Sequence, residues 1–341
     1  MKTNNFSNTA TEGEYDQLST IDMPDIDPNF AEDVQTGLQA EQKYLSSKYL
    51  YDKKGDAIFQ QIMDMEEYYP TRCEYEIFEL HKAEMLKHFG EGVDKFKLIE
   101  FGAGDGMKTK VLLKHFWKSS TSFDYVPIDI SANIVKTLTK DLNENMPGLS
   151  VKGICDDYFR AFEKLDQSDE ESRKVVLFLG ANIGNFSSEE SIDFLKKVAS
   201  YLKSGDRLLI GFDLKKDPQT ILNAYFDKND ITKSFKINLL ERINRELGGN
   251  FDTSSFEYFP IYDPLEGSIR SHLVSKKEQE VYIEALQQTF HFDAWEAIFM
   301  ERSQKYDLKD IHRMAEAAGF QCLHHFYDSK RYFTDSLWTL P

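Results

Sequence analysis

Three glycines alternate with small and polar residues in Leu98–Thr109, which reads LIEFGAGDGMKT. An apolar run ending in Glu100 precedes the glycines, and Lys108 opens the amphipathic segment that follows. A dinucleotide fingerprint requires G-x-G-x-x-G, and a Walker A loop requires glycine directly before Lys-Ser/Thr. Met107 occupies the deciding position in both patterns, so neither phosphate-binding motif matches. A carboxylate at the preceding strand end would repel a pyrophosphate and suits a ligand with a positive end, such as the methionyl ammonium of S-adenosylmethionine.

Acidic residues at the ends of the next two predicted strands extend this pattern. Asp129 stands where α/β sheets place a carboxylate that accepts both ribose hydroxyls. The third strand ends in Asp156, Asp157 and Tyr158, where a carboxylate can accept from an adenine amino group while an aromatic ring flanks the base. The order of Glu100, Asp129 and Asp157 favours S-adenosylmethionine, and an NAD-binding or nucleotide-free sheet stays open as the alternative.

A regular alternation of short apolar runs and helix-length segments extends from Lys97 to Leu214. It predicts an α/β fold with a mainly parallel, Rossmann-like sheet, and such open sheets bind ligands at the carboxyl ends of their strands. After Leu214, alternating apolar and polar residues around a turn at Asp263–Gly267 predict antiparallel strands. Two closing strands around Asp328–Lys330 are expected to return to the first sheet.

These patterns divide the chain into five segments. The first, 1–32, is polar, contains two prolines and is expected to be flexible. The cofactor-binding sheet is expected to occupy 76–215 and to resume at 304–341. A second, α+β substrate-binding domain would combine the N-terminal helices at 33–75 with an insertion at 216–303.

Composition narrows the classes of partner. The chain has 341 residues and a formal net charge of −17. This acidity repels polyphosphates, so we expect a small amino-acid or other zwitterionic substrate and no nucleic-acid partner. A polar N-terminus and the lack of a long apolar run predict a cytoplasmic protein without a secretory signal or membrane contact. We expect a monomer.

Cysteine and histidine spacing predicts no metal site. The three cysteines are far apart, with no CxxC or Cys/His cluster, so neither a disulfide framework nor a zinc site is expected. The eight histidines show no ligand spacing, and adjacent His324 and His325 would point to opposite faces of a strand.

Several longer motifs resemble the L-histidine Nα-methyltransferases of ergothioneine biosynthesis. They are collinear over about 40–340 and read KYLYDKKGDAIFQQIMDMEEYYPTRCEYEIF, LIEFGAGDGMKT, VPIDIS, LFLGANIGNF, IGFDLKKD and LNAYFDKNDIT. The YDxxG…EYYPTR and FLG-x-x-IGN segments are specific to that family. The resemblance implies a Rossmann-type methyltransferase domain joined to a substrate domain. It also implies three methylations of the histidine amine by S-adenosylmethionine, giving the trimethyl betaine hercynine.

The resemblance implies a cofactor site at Gly102, Lys108, Asp129 and the Asp157–Tyr158 pair. Asp156, one residue earlier, is the alternative to Asp157 in this role. Methyl transfer needs positioning and a neutral amine more than a strong acid or base. The implied catalytic residues are therefore positioning groups.

On the substrate side, the resemblance implies that Asn185 and Tyr225 hold the carboxylate. Tyr51 and Tyr68 would line the amine and ring pocket, and Gly180 would present backbone to the amine. Of these, Tyr51, Asn185 and Tyr225 are the predicted catalytic residues.

Glu301 and Ser303 match an acid and a serine, two residues apart, that hydrogen-bond the imidazole in that family. Residues i and i+2 of a strand point to one face, so the pair can take both ring nitrogens. Ser271 departs from the family pattern, which has a methionine there, and would enlarge or wet the pocket. Another aromatic or thiolated-histidine acceptor, including ring-nitrogen methylation, therefore stays open, as do a non-catalytic S-adenosylmethionine-binding subunit and an NAD-dependent oxidoreductase.

Overall fold

The computed structural model describes residues 29–165 and 172–341. The predicted flexible segment up to residue 28 lies outside the described residues. The helices, in chain order, are α1 (Phe30–Gln39), α2 (Lys53–Asp64), α3 (Tyr69–Gly90), α4 (Thr109–Lys118), α5 (Ala132–Asn145), α6 (Tyr158–Leu165), α7 (Ser188–Ala199), α8 (Pro218–Asn223), α9 (Ile231–Leu247) and α10 (Leu308–Ala317). The strands are β1 (Lys95–Phe101), β2 (Ser122–Asp129), β3 (Ser150–Val151), β4 (Ile154–Cys155), β5 (Arg173–Phe178), β6 (Arg207–Asp213), β7 (Phe256–Asp263), β8 (Ser268–Ser275), β9 (Gln279–Ile283), β10 (Gln288–Phe292), β11 (Ala297–Gln304), β12 (Gln321–Tyr327) and β13 (Phe333–Thr339).

An eight-stranded sheet forms the centre of the molecule, in the order β12-β13-β6-β5-β1-β2-β3, with β4 also paired to β2. Strand β13 runs antiparallel to both of its neighbours, and the pairings among β1 to β6 are parallel. From β1 the chain proceeds to β2 and β3 on one side, and later to β5 and β6 on the other. The order therefore reverses between β1 and β5, and ligands of open α/β sheets bind at such a switch point. This confirms the predicted α/β, Rossmann-like class.

Helices cover both faces of this sheet, which explains why its central strands are continuous apolar runs. Alternate residues of β1 face opposite layers: Leu98 packs among residues of α3 and α4, and Ile99 packs among residues of α6 and α7. All seven residues of β6 are buried.

A second hydrophobic core joins the N-terminal helices to the strands that follow β6. It includes Phe30 of α1, Leu239 of α9, Phe256 of β7 and Ile298 of β11. Strands β11, β8 and β7 form one antiparallel sheet, and β9 and β10 form a hairpin. The backbone of Leu45 donates to the carbonyl of Phe299 at 2.9 Å, so the N-terminal segment pairs directly with β11.

Two predicted boundaries need correction. Phe30 lies within the segment predicted to be flexible, but it begins α1 and is fully buried in the second core. The boundary between residues 75 and 76 falls inside the unbroken helix α3, whose residues Tyr69 and Cys73 already pack in the core of the central sheet. None of the helices in the described ranges combines the length and apolar character needed to span a bilayer.

Candidate active site

The glycine loop connects β1 to α4 at the carboxyl edge of the sheet. Gly102, Gly104 and Gly106 have φ angles of +65°, +54° and +65°, in the left-handed region that glycine adopts without strain. The N–H of Gly104 donates to Oδ2 of Asp129 at 3.1 Å, and the N–H of Ser131 donates to Oδ1 at 3.0 Å. The structure thus brings the loop and the acid at the end of β2 together, as expected for one ligand site.

Glu100 supports this loop from below. Its carboxylate is buried and accepts hydrogen bonds from Thr109 Oγ1 at 2.6 Å and from the Tyr125 hydroxyl. Both partners are buried side chains, so the carboxylate faces the protein interior and not the open edge. The predicted direct contact between Glu100 and a positive ligand group is therefore corrected to a positioning role. Burial raises the pKa of Glu100 to about 7.

Replacing Glu100 by glutamine is expected to change how stability depends on pH. The pKa of Glu100 rises on folding from 4.5 to about 7. The folded state therefore holds this proton more tightly, and stability falls as pH rises between these values. Between about pH 5 and pH 8, the native chain should lose roughly 2–3 kcal/mol of unfolding free energy through Glu100, and Glu100→Gln should not show this loss. Denaturant titration at both pH values measures this, with exposed Glu144→Gln as control, and equal pH dependence in all three proteins would refute it.

The residues after β4 are held by local contacts. The Tyr158 ring stacks on Phe101 with centroids 4.6 Å apart, and its hydroxyl lies 3.2 Å from where a Cβ on Gly102 would stand. Burial and the charge of Asp129 raise the pKa of Tyr158 to about 12. Tyr158 thus borders the glycine loop, as an aromatic flank of the cofactor site must.

Asp156 and Asp157 both have protein partners. One oxygen of Asp157 accepts from the N–H groups of Phe159 and Arg160 at 3.1 Å, which makes Asp157 the cap of α6. Asp156 pairs with Lys164 at 2.5 Å. Which of the two accepts from adenine stays a prediction.

The turn after β5 brings a second backbone segment to the same edge. Gly180 and Ala181 both have left-handed φ angles, +73° and +56°, and a 3-10 turn over Asn182–Asn185 follows. A Cβ on Gly184 would lie 2.9 Å from the backbone carbonyl oxygen of Gln304, so only glycine lets this turn pack against β11.

Lys108 does not stand free for a ligand. Its ammonium pairs with the fully buried carboxylate of Glu74, which also accepts from the N–H of Gly180 at 2.8 Å. Burial alone would lower the pKa of Lys108, but Glu74 raises it. The predicted cofactor contact is therefore refined: through Glu74, Lys108 ties the glycine loop to the Gly180 turn.

The structure brings all but one of the predicted substrate residues to a single cavity. Its lining includes Tyr51, Tyr68, Gly180, Asn185, Tyr225, Glu301 and Ser303. Ser271 is the exception: it is buried outside the lining, with its hydroxyl 3.1 Å from that of Tyr258. The expectation that Ser271 enlarges or wets the pocket is corrected, because this hydroxyl is already satisfied by a buried partner.

Several aromatic rings line the cavity. The Tyr51 ring lies 5.5 Å from Phe59 and 5.4 Å from Phe235, and the Tyr68 ring lies 6.3 Å from Tyr225. Burial raises the pKa values of Tyr51 and Tyr68 well above 10, so both phenols stay neutral.

Lys305 contacts two of the polar residues that line the cavity, and sequence reasoning missed it. It is fully buried, and its ammonium lies 2.8 Å from each of the Tyr225 hydroxyl, Ser303 Oγ and Asp213 Oδ2. Burial opposes ionisation of Asp213, but Lys305 and Lys216 hold the pKa of this carboxyl below its ordinary value. The spacing Glu301, Ser303, Lys305 continues the same i, i+2 pattern and could have identified this lysine.

Lys236 is the second residue that sequence reasoning missed. Its ammonium, almost completely buried, donates to Oε2 of Glu301 at 2.5 Å. It lies on α9, far from Glu301 in the chain, and no local motif predicts this contact. One carboxylate oxygen of Glu301 is thereby occupied, and the other is left for a ligand.

The geometry fits S-adenosylmethionine. The loop offers left-handed backbone, Asp129 offers a carboxylate beside it, and the loop's own lysine is already neutralised by Glu74. This donor set suits hydroxyls and a positive sulfonium ligand better than a pyrophosphate. The fold and the site define a Rossmann-like, S-adenosylmethionine-dependent methyltransferase.

The chain belongs to the histidine-specific, S-adenosylmethionine-dependent methyltransferases, whose family model matches residues 30–340. A histidine N-alpha-methyltransferase from Mycolicibacterium smegmatis is 32% identical over 296 residues, covering 87% of this chain and 90% of the relative. Ergothioneine biosynthesis protein 1 from Schizosaccharomyces pombe is 32% identical over 81% of this chain and 36% of the relative. An L-tryptophan methyltransferase from Psilocybe serbica is 29% identical, covering 81% and 82%. Family membership confirms the predicted resemblance and removes the NAD-dependent alternative.

Proposed function

We propose that this protein transfers methyl groups from S-adenosylmethionine to the α-amine of L-histidine, forming the trimethyl betaine. The observation that carries the proposal is that Glu301 and Ser303 line the same cavity as several aromatic rings. The relatives named for histidine N-alpha-methylation and ergothioneine biosynthesis support the same assignment.

Ser303 and Glu301 together offer a neutral imidazole one hydrogen-bond donor and one acceptor. Ser303 Oγ accepts from Lys305 at 2.8 Å, so its own hydrogen can donate into the cavity. Glu301, paired with Lys236, can only accept. Ser303 can therefore donate to the unprotonated ring nitrogen, and Glu301 can accept from the ring N–H.

The aromatic lining suits an amine that gains methyl groups. Each transfer forms an N–C bond as the sulfur–carbon bond breaks, and the amine releases a proton to solvent before the next transfer. When bound, the cofactor supplies a methyl group on positively charged sulfur. Tyr51 and Tyr68 line the cavity as neutral aromatic rings, and such rings can attract methylated ammonium groups through cation–π interactions.

The substrate carboxylate is assigned to Asn185 and Tyr225. Both line the cavity, and the Tyr225 oxygen accepts from Lys305, so its own hydrogen can turn from Ser303 to a carboxylate. The positive charge of Lys305 behind this hydroxyl favours an anionic group in front of it.

Mass spectrometry of products from histidine, 5-thiohistidine, tryptophan and tyrosine tests the proposed function. We expect histidine to have the highest kcat/KM and to gain three methyl groups. A higher value for another amino acid would overturn the assignment to histidine, and the lack of any methylated product would favour a non-catalytic binding protein.

Replacing Glu301 by alanine is expected to lower kcat/KM for histidine by about 10- to 100-fold, the effect of a lost hydrogen bond to a charged group. Activity on tryptophan should fall much less, because its ring presents no matching pair of nitrogens. Glu257→Ala is the matched control, since Glu257 pairs with Lys233 on the same helix α9 at 2.8 Å but lies on the surface. Unchanged discrimination in Glu301→Ala would remove Glu301 from imidazole recognition.

We also propose that the enzyme acts as a cytoplasmic monomer on small amino acids, without a nucleic-acid partner. The net charge of −17 and the three free cysteines support this.

A further inference from the structure

Four of the eight histidines gather around β12, the edge strand of the central sheet, away from the residues that line the cavity. They form two groups on opposite sides of the strand. One group combines His324 with Glu84 and His88 of α3, and the other combines His325 and Cys322 with His312 of α10. The mechanism described above uses neither group.

A β-bulge builds the second group. In a regular strand, residues three apart point to opposite faces. Here the register shifts between Cys322 and His324, so that Cys322 pairs with Trp338 and His325 pairs with Ser336. Because these two partners are two residues apart on β13, the bulge turns the side chains of Cys322 and His325 to the same face. The chain spacing therefore conceals this cluster.

The donor atoms stand at a separation that suits one small ion. Nε2 of His325 lies 3.2 Å from Nε2 of His312. Zinc–nitrogen bonds of about 2.0–2.1 Å at a tetrahedral angle separate two nitrogens by about 3.3 Å. One donor atom from each of the three residues lies within 4.8 Å of those of the other two.

We propose that His312, Cys322 and His325 form a zinc-binding site that joins α10 to β12. Two imidazoles and one thiolate are borderline ligands typical of zinc, and three protein ligands leave a fourth position for water. On binding, the Cys322 sulfur forms the metal bond and its proton passes to solvent, so affinity increases with pH.

Solvent access and local polarity support the site. His312 is exposed, while Cys322 and His325 are partly buried, which leaves an entry path for an ion. Nδ1 of His325 is buried and has no partner among the described residues.

Titration of the full-length protein, expressed without a histidine tag, tests the proposal. We expect one Co²⁺ per chain with a thiolate-to-metal charge-transfer band, and displacement of Co²⁺ by Zn²⁺. Cys322→Ser should abolish the band, and His325→Ala should weaken Zn²⁺ binding at least about tenfold. His324→Ala is the matched control on the opposite face and should bind as the native chain does.

Histidine methylation shows that each variant is folded, because these residues lie outside the cavity. Absence of the charge-transfer band in the native protein would overturn the proposal. So would equal Zn²⁺ affinity in the native chain, Cys322→Ser and His325→Ala. Zn²⁺ affinity lost only in His324→Ala would assign the metal to the other group, which has no thiol, and equally refute the site.

Discussion

Glu74→Met is expected to destabilise the protein by about 3 kcal/mol, because it removes a fully buried carboxylate and leaves the partly buried Lys108 ammonium without its partner. The substitution also leaves the N–H of Gly180 without its acceptor, which lies at 2.8 Å in the native chain. Since these contacts tie the glycine loop to the turn after β5, we expect methyl transfer to fall with stability. Denaturant unfolding and the KM for S-adenosylmethionine measure the two effects.

Asp335→Asn, which changes a second buried carboxyl close to Glu74, is expected to lower the free energy of unfolding by about 1 kcal/mol or less. Asp335 is fully buried close to Glu74, and neither of its oxygens has a hydrogen-bond partner among the described residues. Burial and the charge of Glu74 raise the pKa of Asp335 well above its ordinary value, which favours its protonated form. Asparagine resembles that form in shape and in carrying no charge.

The pH dependence separates this account from a simple packing effect. Raising a carboxyl pKa on folding makes stability fall as pH rises between the unfolded and folded values. The native chain therefore loses stability with rising pH through Asp335, and Asp335→Asn does not. We expect the unfolding free energy of Asp335→Asn to increase relative to that of the native chain from about pH 5 to about pH 8. Equal damage by both substitutions would show that Glu74 and Asp335 are not a charged and a neutral partner.

Much of the fold could be predicted because its signals are local. Apolar runs marked β1, β2, β5 and β6, and the turn at Asp263–Gly267 marked the β7–β8 hairpin. The boundary at 75/76 failed because α3 serves both parts of the molecule, and no local signal divides a continuous helix. Phe30 was assigned to a flexible segment because its burial depends on partners far along the chain, such as Arg242 of α9, whose guanidinium lies 4.8 Å from the centroid of the Phe30 ring.

The site divides in the same way. Residues carried by a motif, such as Asn185 and Glu301, line the cavity as expected. Glu100 has the right position in the chain but faces inward, since Thr109 and Tyr125 occupy its oxygens. Lys236 could not be predicted, because a buried lysine is stabilised by a carboxylate that only tertiary structure brings near.

Lys305→Met is expected to raise the KM for histidine by about 10- to 100-fold, the range for hydrogen bonds to a charged group. The native ammonium supports both Tyr225 and Ser303, each at 2.8 Å. Without it, the two hydroxyls assigned to the substrate carboxylate and imidazole lose their common donor. The Kd for S-adenosylmethionine should change little, because Lys305 lies beneath the substrate end of the cavity.

Lys216→Met is the matched control for Lys305→Met. Lys216 pairs with the same buried carboxylate, Asp213, but its other contacts are the Tyr69 hydroxyl at 2.9 Å and the carbonyl of Leu214. Both substitutions remove one cation from Asp213, so we expect similar losses of unfolding free energy, about 1–3 kcal/mol each. The KM for histidine should rise substantially in Lys305→Met alone. Equal KM increases in the two variants would mean that Lys305 acts by holding Asp213 in place, and not by supporting the hydroxyls that face the substrate.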